Sequence, residues 1–208
     1  MEQIISSFSP DSAGYGFMWV ILFVGMAAGG VAIERFIYII LRSSKGRGEF
    51  MKNLASLLQA DKTDEALNYS QASKLPLGKV IYSVLVNKDE GRAAMENGLD
   101  EAYLTEAPRI NRYLNMISVV ANIATLLGLL GTIYGLIYTF DAVANRPAAE
   151  RPAALADGIA VAMGTTFMGL VVAIPLMFIQ GVLAMQSERI IQEMEEKGLK
   201  IVNILVKE

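Results

Sequence analysis

Ser118, Thr125, Thr132 and Thr139 recur every seven residues along a stretch that is otherwise mostly Leu, Ile, Val, Ala and Gly. Seven residues make close to two helical turns, so the four hydroxyls share one helix face, with Asn115 and Asn122 on its edge. A second apolar stretch carries Gly158, Ala162, Thr165, Thr166, Gly169, Ala173 and Gln180 as a comparable small and polar stripe. Hydroxyls donate and accept hydrogen bonds, but their pKa values lie far too high to take up and release protons near neutrality. Neither stretch contains Asp, Glu, Lys, Arg or His. Two readings follow. In one, the stripes only pack helices: each threonine bonds the carbonyl four residues back, and Gly128, Gly131, Gly135 and Gly169 mark close approach. In the other, Thr132, Thr166, Thr165, Thr125, Thr139 and Ser118 line an ion path. That path is incomplete until another polypeptide brings a carboxylate, around which threonine hydroxyls supply hydrogen bonds and hold water.

The elements that position these residues are membrane spans. The chain of 208 residues is 53% hydrophobic and only 19% charged, with positive mean hydropathy. A soluble domain would carry about 25% charged residues. Cysteine and histidine are both absent, which removes disulfides, thiolate nucleophiles, zinc sites and imidazole relays, so an enzyme is not expected. The net charge is −3, and no basic patch interleaved with aromatics points to nucleic acid. Three charge-free runs reach the roughly 20 residues that cross a bilayer: 14–33, 113–140 and 158–187. The opening MEQIISSFSPDSAGYG carries no Lys or Arg, so it lacks the basic region of a cleaved signal peptide, and the first run is expected to remain as a span.

Of 18 Lys and Arg, none precedes Arg35, eleven lie between Arg42 and Arg112, two lie in the 142–157 loop and four follow Ser187. The positive-inside rule then puts the N-terminus outside and the C-terminus inside. The expected plan is an extracytoplasmic segment 1–16, spans 17–41, 113–141 and 158–187, a cytoplasmic helical insertion 42–112, a short periplasmic loop 142–157 and a cytoplasmic C-terminal helix 188–208. Within the insertion, Phe50, Leu54, Leu57 and Leu58 share a face, 61–65 restarts a helix, Pro76 and Gly78 break it, and Ala93 to Glu106 leads through Pro108 into the second span. The third span is expected to continue as a helix packed on the insertion. Glu34 and Arg35, as sequence neighbours on a helix, are not expected to pair with each other. Asp157 is expected to cap the third span and Asp141 to end the second, the two forming a candidate pore mouth.

"IATLLGLLGTIYGLIYTF" followed by "GIAVAMGTTFMGLVVAIP" resembles the paired signature of the MotA/TolQ/ExbB proton-channel family. A first span ending in "AIERF" and the run "EAYLTEAPRINRYLNMISVVANIA" fit the same order of parts, closest to the three-span ExbB/TolQ branch. The resemblance implies an all-α integral membrane protein assembled as a homo-oligomeric pore, a pentamer, lined by the second and third spans. It implies a dimer of an ExbD/TolR-like single-span partner in the pore, bearing the essential aspartate, and a TonB/TolA-like protein crossing the periplasm. By position, Thr132 and Thr166 match the family's pore threonines. No cofactor is implied: the transported ion is a proton, with sodium as the alternative, and the setting is the bacterial inner membrane. The chain departs from the ExbB/TolQ pattern at Val161, where that branch carries Glu, and at Thr125, where it carries Pro. The doubled Thr165-Thr166 also occurs in sodium-driven stator subunits. Sodium-driven, gliding or stator-like motors are therefore the alternatives, with a non-conducting scaffold as the third.

Overall fold

A computed structural model describes residues 8–10, 14–44 and 46–206, so the expected N-terminal segment 1–16 lies mostly outside the described residues. Among the described residues the chain is all helical. The helices are α1 (Tyr15–Phe36), α2 (Arg47–Gln59), α3 (Thr63–Ala72), α4 (Pro76–Val86), α5 (Arg92–Asn111), α6 (Leu114–Ala144) and α7 (Arg151–Leu205). A π-helical turn, Ile37–Ser43, follows α1, and a 3₁₀ turn, Lys88–Glu90, precedes α5. Three helical stretches are long and apolar enough to cross a membrane, with mean hydropathies of 2.1, 2.0 and 2.2. The chain is a multi-pass membrane protein.

It divides into two compact units. The first comprises Met1–Ile33 and Tyr113–Gly181. Here α6 buries one stripe, Leu114, Ile117, Ala121, Ala124, Gly128, Gly131, Gly135 and Thr139, at spacings of three or four. Small residues let backbones meet, because van der Waals contact replaces the hydrophobic effect as the force between helices in lipid. A Cβ on Gly169 of α7 would stand 2.7 Å from the Ala124 carbonyl oxygen, and one on Gly135 would stand 2.9 Å from Ala162 Cβ. Contacts that advance along α6 while receding along α7 make the pair antiparallel. Gly14 meets Thr165 and Gly25 meets Val172, so α1 runs parallel to α7. This is the sense that three successive crossings require. Large apolar side chains such as Phe23, Ile133, Ile137, Phe140, Met177 and Phe178 stay exposed, as suits helices solvated by lipid or by further protein rather than water.

The second unit comprises Glu34–Arg112 and Val182–Glu208. Its core gathers Leu54, Leu77, Val80, Ile81, Val84, Met95 and Leu99 with Leu183, Ile190, Met194, Ile201 and Val202 of α7. Gly198 of α7 lies against Leu99 and Val80, so the end of α7 packs on the helices of the insertion.

Several sequence expectations are corrected here. Pro76 opens α4 at its first position, where its missing N–H costs nothing, and Gly78 lies within the helix. A Cβ on Gly78 would stand 2.5 Å from Ser73 Oγ, so that glycine permits close approach rather than breaking the helix. Pro108 likewise lies within α5, and the break comes at Arg112 (φ −53, ψ 131) and Tyr113 (φ 64). The 142–157 loop is shorter than expected, because α6 continues to Ala144 and α7 begins at Arg151. Asp157 is consequently no cap: it sits inside α7, whose first turn starts with the Ala154 N–H bonded to the Glu150 carbonyl at 3.1 Å. Glu34 and Arg35 do pair, through Nε to Oε2 at 2.5 Å and Nη2 to Oε1 at 2.7 Å. The spacing rule concerns Cβ directions, whereas two long side chains can curl until their heads converge.

Candidate functional site

The residues that could do chemistry meet where α6 and α7 come closest. Gly128 places its own carbonyl against α7: a Cβ there would stand 2.9 Å from the Thr165 carbonyl oxygen and 3.1 Å from Thr166 Cα. Three hydroxyls gather on the resulting contact. Thr165 Oγ1 donates to the Ala162 carbonyl at 2.7 Å or the Gly128 carbonyl at 3.0 Å. Thr166 Oγ1 lies 3.1 Å from the Gly128 carbonyl. Thr132 Oγ1 lies 3.2 Å from that carbonyl, 3.1 Å from the Ala162 carbonyl and 3.3 Å from Thr165 Oγ1, and it is in direct contact with Thr166 Oγ1.

Each hydroxyl has a single proton, which limits the arrangement. Between Thr132 and Thr166 only one can donate to the other. If Thr166 donates, the Thr132 proton goes to the Ala162 or Gly128 carbonyl; if Thr132 donates, the Thr166 proton goes to the Gly128 carbonyl. The trio thus has two hydrogen-bond directions and no charge in either. Thr165 is fully buried, whereas Thr132 and Thr166 are half-buried. Thr165 therefore lies inside the helix pair, and Thr132 and Thr166 are its partly open members.

The other hydroxyls of the seven-residue series are not brought to this cluster. Thr125 bonds back to the Ala121 carbonyl at 3.3 Å and Thr139 to the Gly135 carbonyl at 2.7 Å. Ser118 is half-buried near the start of α6. Thr139 is buried, with Gly158 against its side chain. Gly128, Gly131, Gly135 and Gly169 all lie at the α6–α7 contact, where a Cβ on Gly131 would stand 2.8 Å from Thr165 Oγ1. Asp141 and Asp157 are both exposed. Between them, Arg151 caps the end of α6 by donating to the carbonyls of Arg146 at 2.9 Å and Ala144 at 3.3 Å. The acceptors at the centre of the cluster, the Gly128 and Ala162 carbonyls, were not foreseen as site atoms. Their only sequence signal is the small-residue stripe, because a carbonyl is reachable from a neighbouring helix only where no side chain intervenes.

Fold and site together define an all-helical, multi-pass membrane protein with a hydroxyl cluster between two small-residue spans. The chain belongs to the MotA/TolQ/ExbB proton channel family, whose model matches residues 70–196. It is 28% identical over 194 residues, covering 90% of this chain and 68% of the relative, to a protein of Methanothermobacter thermautotrophicus described as a biopolymer transport protein ExbB homolog. It is 30% identical over 173 residues, 82% of this chain and 75% of the relative, to biopolymer transport protein exbB1 of Vibrio cholerae.

Proposed function

We propose that this chain is the pore-forming subunit of an ion-driven motor in the bacterial inner membrane. A homo-pentamer places α6 and α7 around a pore, and a dimer of an ExbD/TolR-like single-span partner inside it carries the aspartate that takes up and releases the proton. The N-terminus and the α6–α7 connection face the periplasm, while the insertion and the C-terminus face the cytoplasm. Work passes outward through a TonB/TolA-like protein. One observation carries the reading: the trio Thr132, Thr165 and Thr166 gathers donors and acceptors within two runs, 113–140 and 158–187, that hold no Asp, Glu, Lys, Arg or His.

A partner carboxylate beside the open edge of the trio would accept the proton that otherwise goes to the Gly128 or Ala162 carbonyl. The trio then needs only to reverse its hydrogen-bond direction, without acquiring charge. One elementary charge crossing 100 mV releases about 2.3 kcal/mol, which is the energy available for each step. Sodium in place of the proton uses the same oxygens as ligands.

A non-conducting scaffold is the second reading, favoured by the internal partners that every hydroxyl of the trio already has. The two separate on Thr132→Val and Thr166→Val, measured as proton flux into liposomes containing the purified complex with its partner. The motor reading expects assembly to persist and flux to be lost; unimpaired flux in both variants contradicts it.

A further inference from the structure

Arg35 is a cation at the end of the first span, yet its side chain is only 8% exposed, while that of Glu34 is 55% exposed. Its guanidinium uses three nitrogens on two tasks. Nε and Nη2 fork onto the two oxygens of Glu34 at 2.5 and 2.7 Å, and Nη1 donates to the carbonyl of Arg109 at 3.3 Å. The group also lies 4.9 Å above the Tyr38 ring. Arg109 is the third residue from the end of α5, so its carbonyl is one of the last four, which have no donor within the helix. Just past the end Tyr113, rather than the more usual glycine, takes the left-handed conformation, with φ 64. Arg35 thus supplies, from a different helix, both a hydrogen bond and a positive charge at the negative end of the α5 dipole.

Three further bonds converge on the same helix end. Ser187 Oγ donates to Asn111 Oδ1 at 2.5 Å, and buried Glu106 accepts from Arg109 and from Lys79, the latter at 3.1 Å. Three elements therefore hold the last six residues of α5, and α6, which carries Thr132, begins three residues after α5 ends. Guanidinium fits this role where ammonium does not: its rigid fork engages a carboxylate with two nitrogens and leaves a third for the carbonyl. Glu34 compensates the buried charge and fixes the orientation of the fork.

We propose that Arg35, oriented by Glu34, is a positioning residue that clamps the C-terminal end of α5, and that ion conduction by the assembled complex depends on this clamp. The proposal rests on the motor reading above for its functional half.

The test uses the complex purified with its single-span partner, wild type against Arg35→Gln, Arg35→Lys and Thr132→Val. Three quantities are read: oligomer mass, proton flux per complex in liposomes, and amide hydrogen exchange over residues 110–116. Arg35→Gln is expected to keep its mass, lower flux about tenfold, and speed exchange in that segment by a similar factor, as the loss of one charge-assisted hydrogen bond implies. Should it fail to assemble, Arg35→Lys is decisive: one ammonium nitrogen keeps the charge but not the fork, so exchange is faster and flux lower than wild type. Wild-type flux and exchange in the variant that assembles overturn the clamp. If Thr132→Val keeps full flux, the motor reading fails instead, and the exchange measurement alone decides the clamp.

Discussion

Replacing Gly169 by Ala tests whether backbone contact between α6 and α7 builds the hydroxyl cluster. The added methyl would stand 2.7 Å from the Ala124 carbonyl oxygen and 3.2 Å from Gly128 Cα, both backbone atoms that no side-chain rotation can move. Real Cβ contacts essentially never fall below 3.0 Å, so the helices must part by at least 0.3 Å there. That displacement acts directly on the Thr165 and Thr166 bonds to the Gly128 carbonyl, now 3.0 and 3.1 Å. Overpacking of this kind costs about 1–3 kcal/mol, and the better helix propensity of Ala returns about 1 kcal/mol at most, leaving a net loss of up to about 2 kcal/mol. Thermal unfolding in lipid nanodiscs, followed by circular dichroism, should show a lower melting temperature for Gly169→Ala. Gly29→Ala and Gly181→Ala, where an added Cβ meets nothing within 4 Å, should match or exceed wild type. A melting temperature for Gly169→Ala at or above wild type refutes the claim that this contact is held at backbone distance.

Glu193→Gln removes the carboxylate that pairs with Arg47, whose side chain is 10% exposed and which also bonds Ser44; a loss of about 1–3 kcal/mol is expected in denaturant unfolding. The double replacement Arg47→Met with Glu193→Leu should recover most of it, since an apolar pair leaves no charge stranded. Asp61 holds φ 59 in the turn between α2 and α3, so Asp61→Val should cost about 1–2 kcal/mol while Asp61→Gly is neutral or better by the same unfolding measurement.

The spans were legible because absence of charge over 20 or more residues is a one-dimensional property that needs no partner to interpret. The antiparallel glycine contact was legible in part, since small residues at intervals of three and four in both long spans have few other uses in lipid. The seven-residue hydroxyl series was legible as a pattern and misleading as a face. An α-helix drifts about 20° per seven residues against such a repeat, so a series of four rotates by about 60° from end to end. Thr139 consequently lies in the buried stripe while Ser118, Thr125 and Thr132 lie at its margin. Asp157 resembled a cap because Asp before Gly is a common helix start, yet the Ala-rich run from Arg151 already favours helix and tolerates Pro152 in its first turn. The Glu34–Arg35 pair was missed because spacing rules describe where side chains leave the backbone, not where long ones end.

In the proposed motor the Thr132, Thr165 and Thr166 cluster is half of an ion site, completed by a carboxylate on another chain. The most direct measurement is proton flux under an imposed potential in liposomes, comparing this chain alone, the chain with its single-span partner, and the same complex with the partner's intramembrane carboxylate changed to its amide. Flux is expected only in the second. Equal flux from the chain alone, or from the complex bearing the amide, would contradict it.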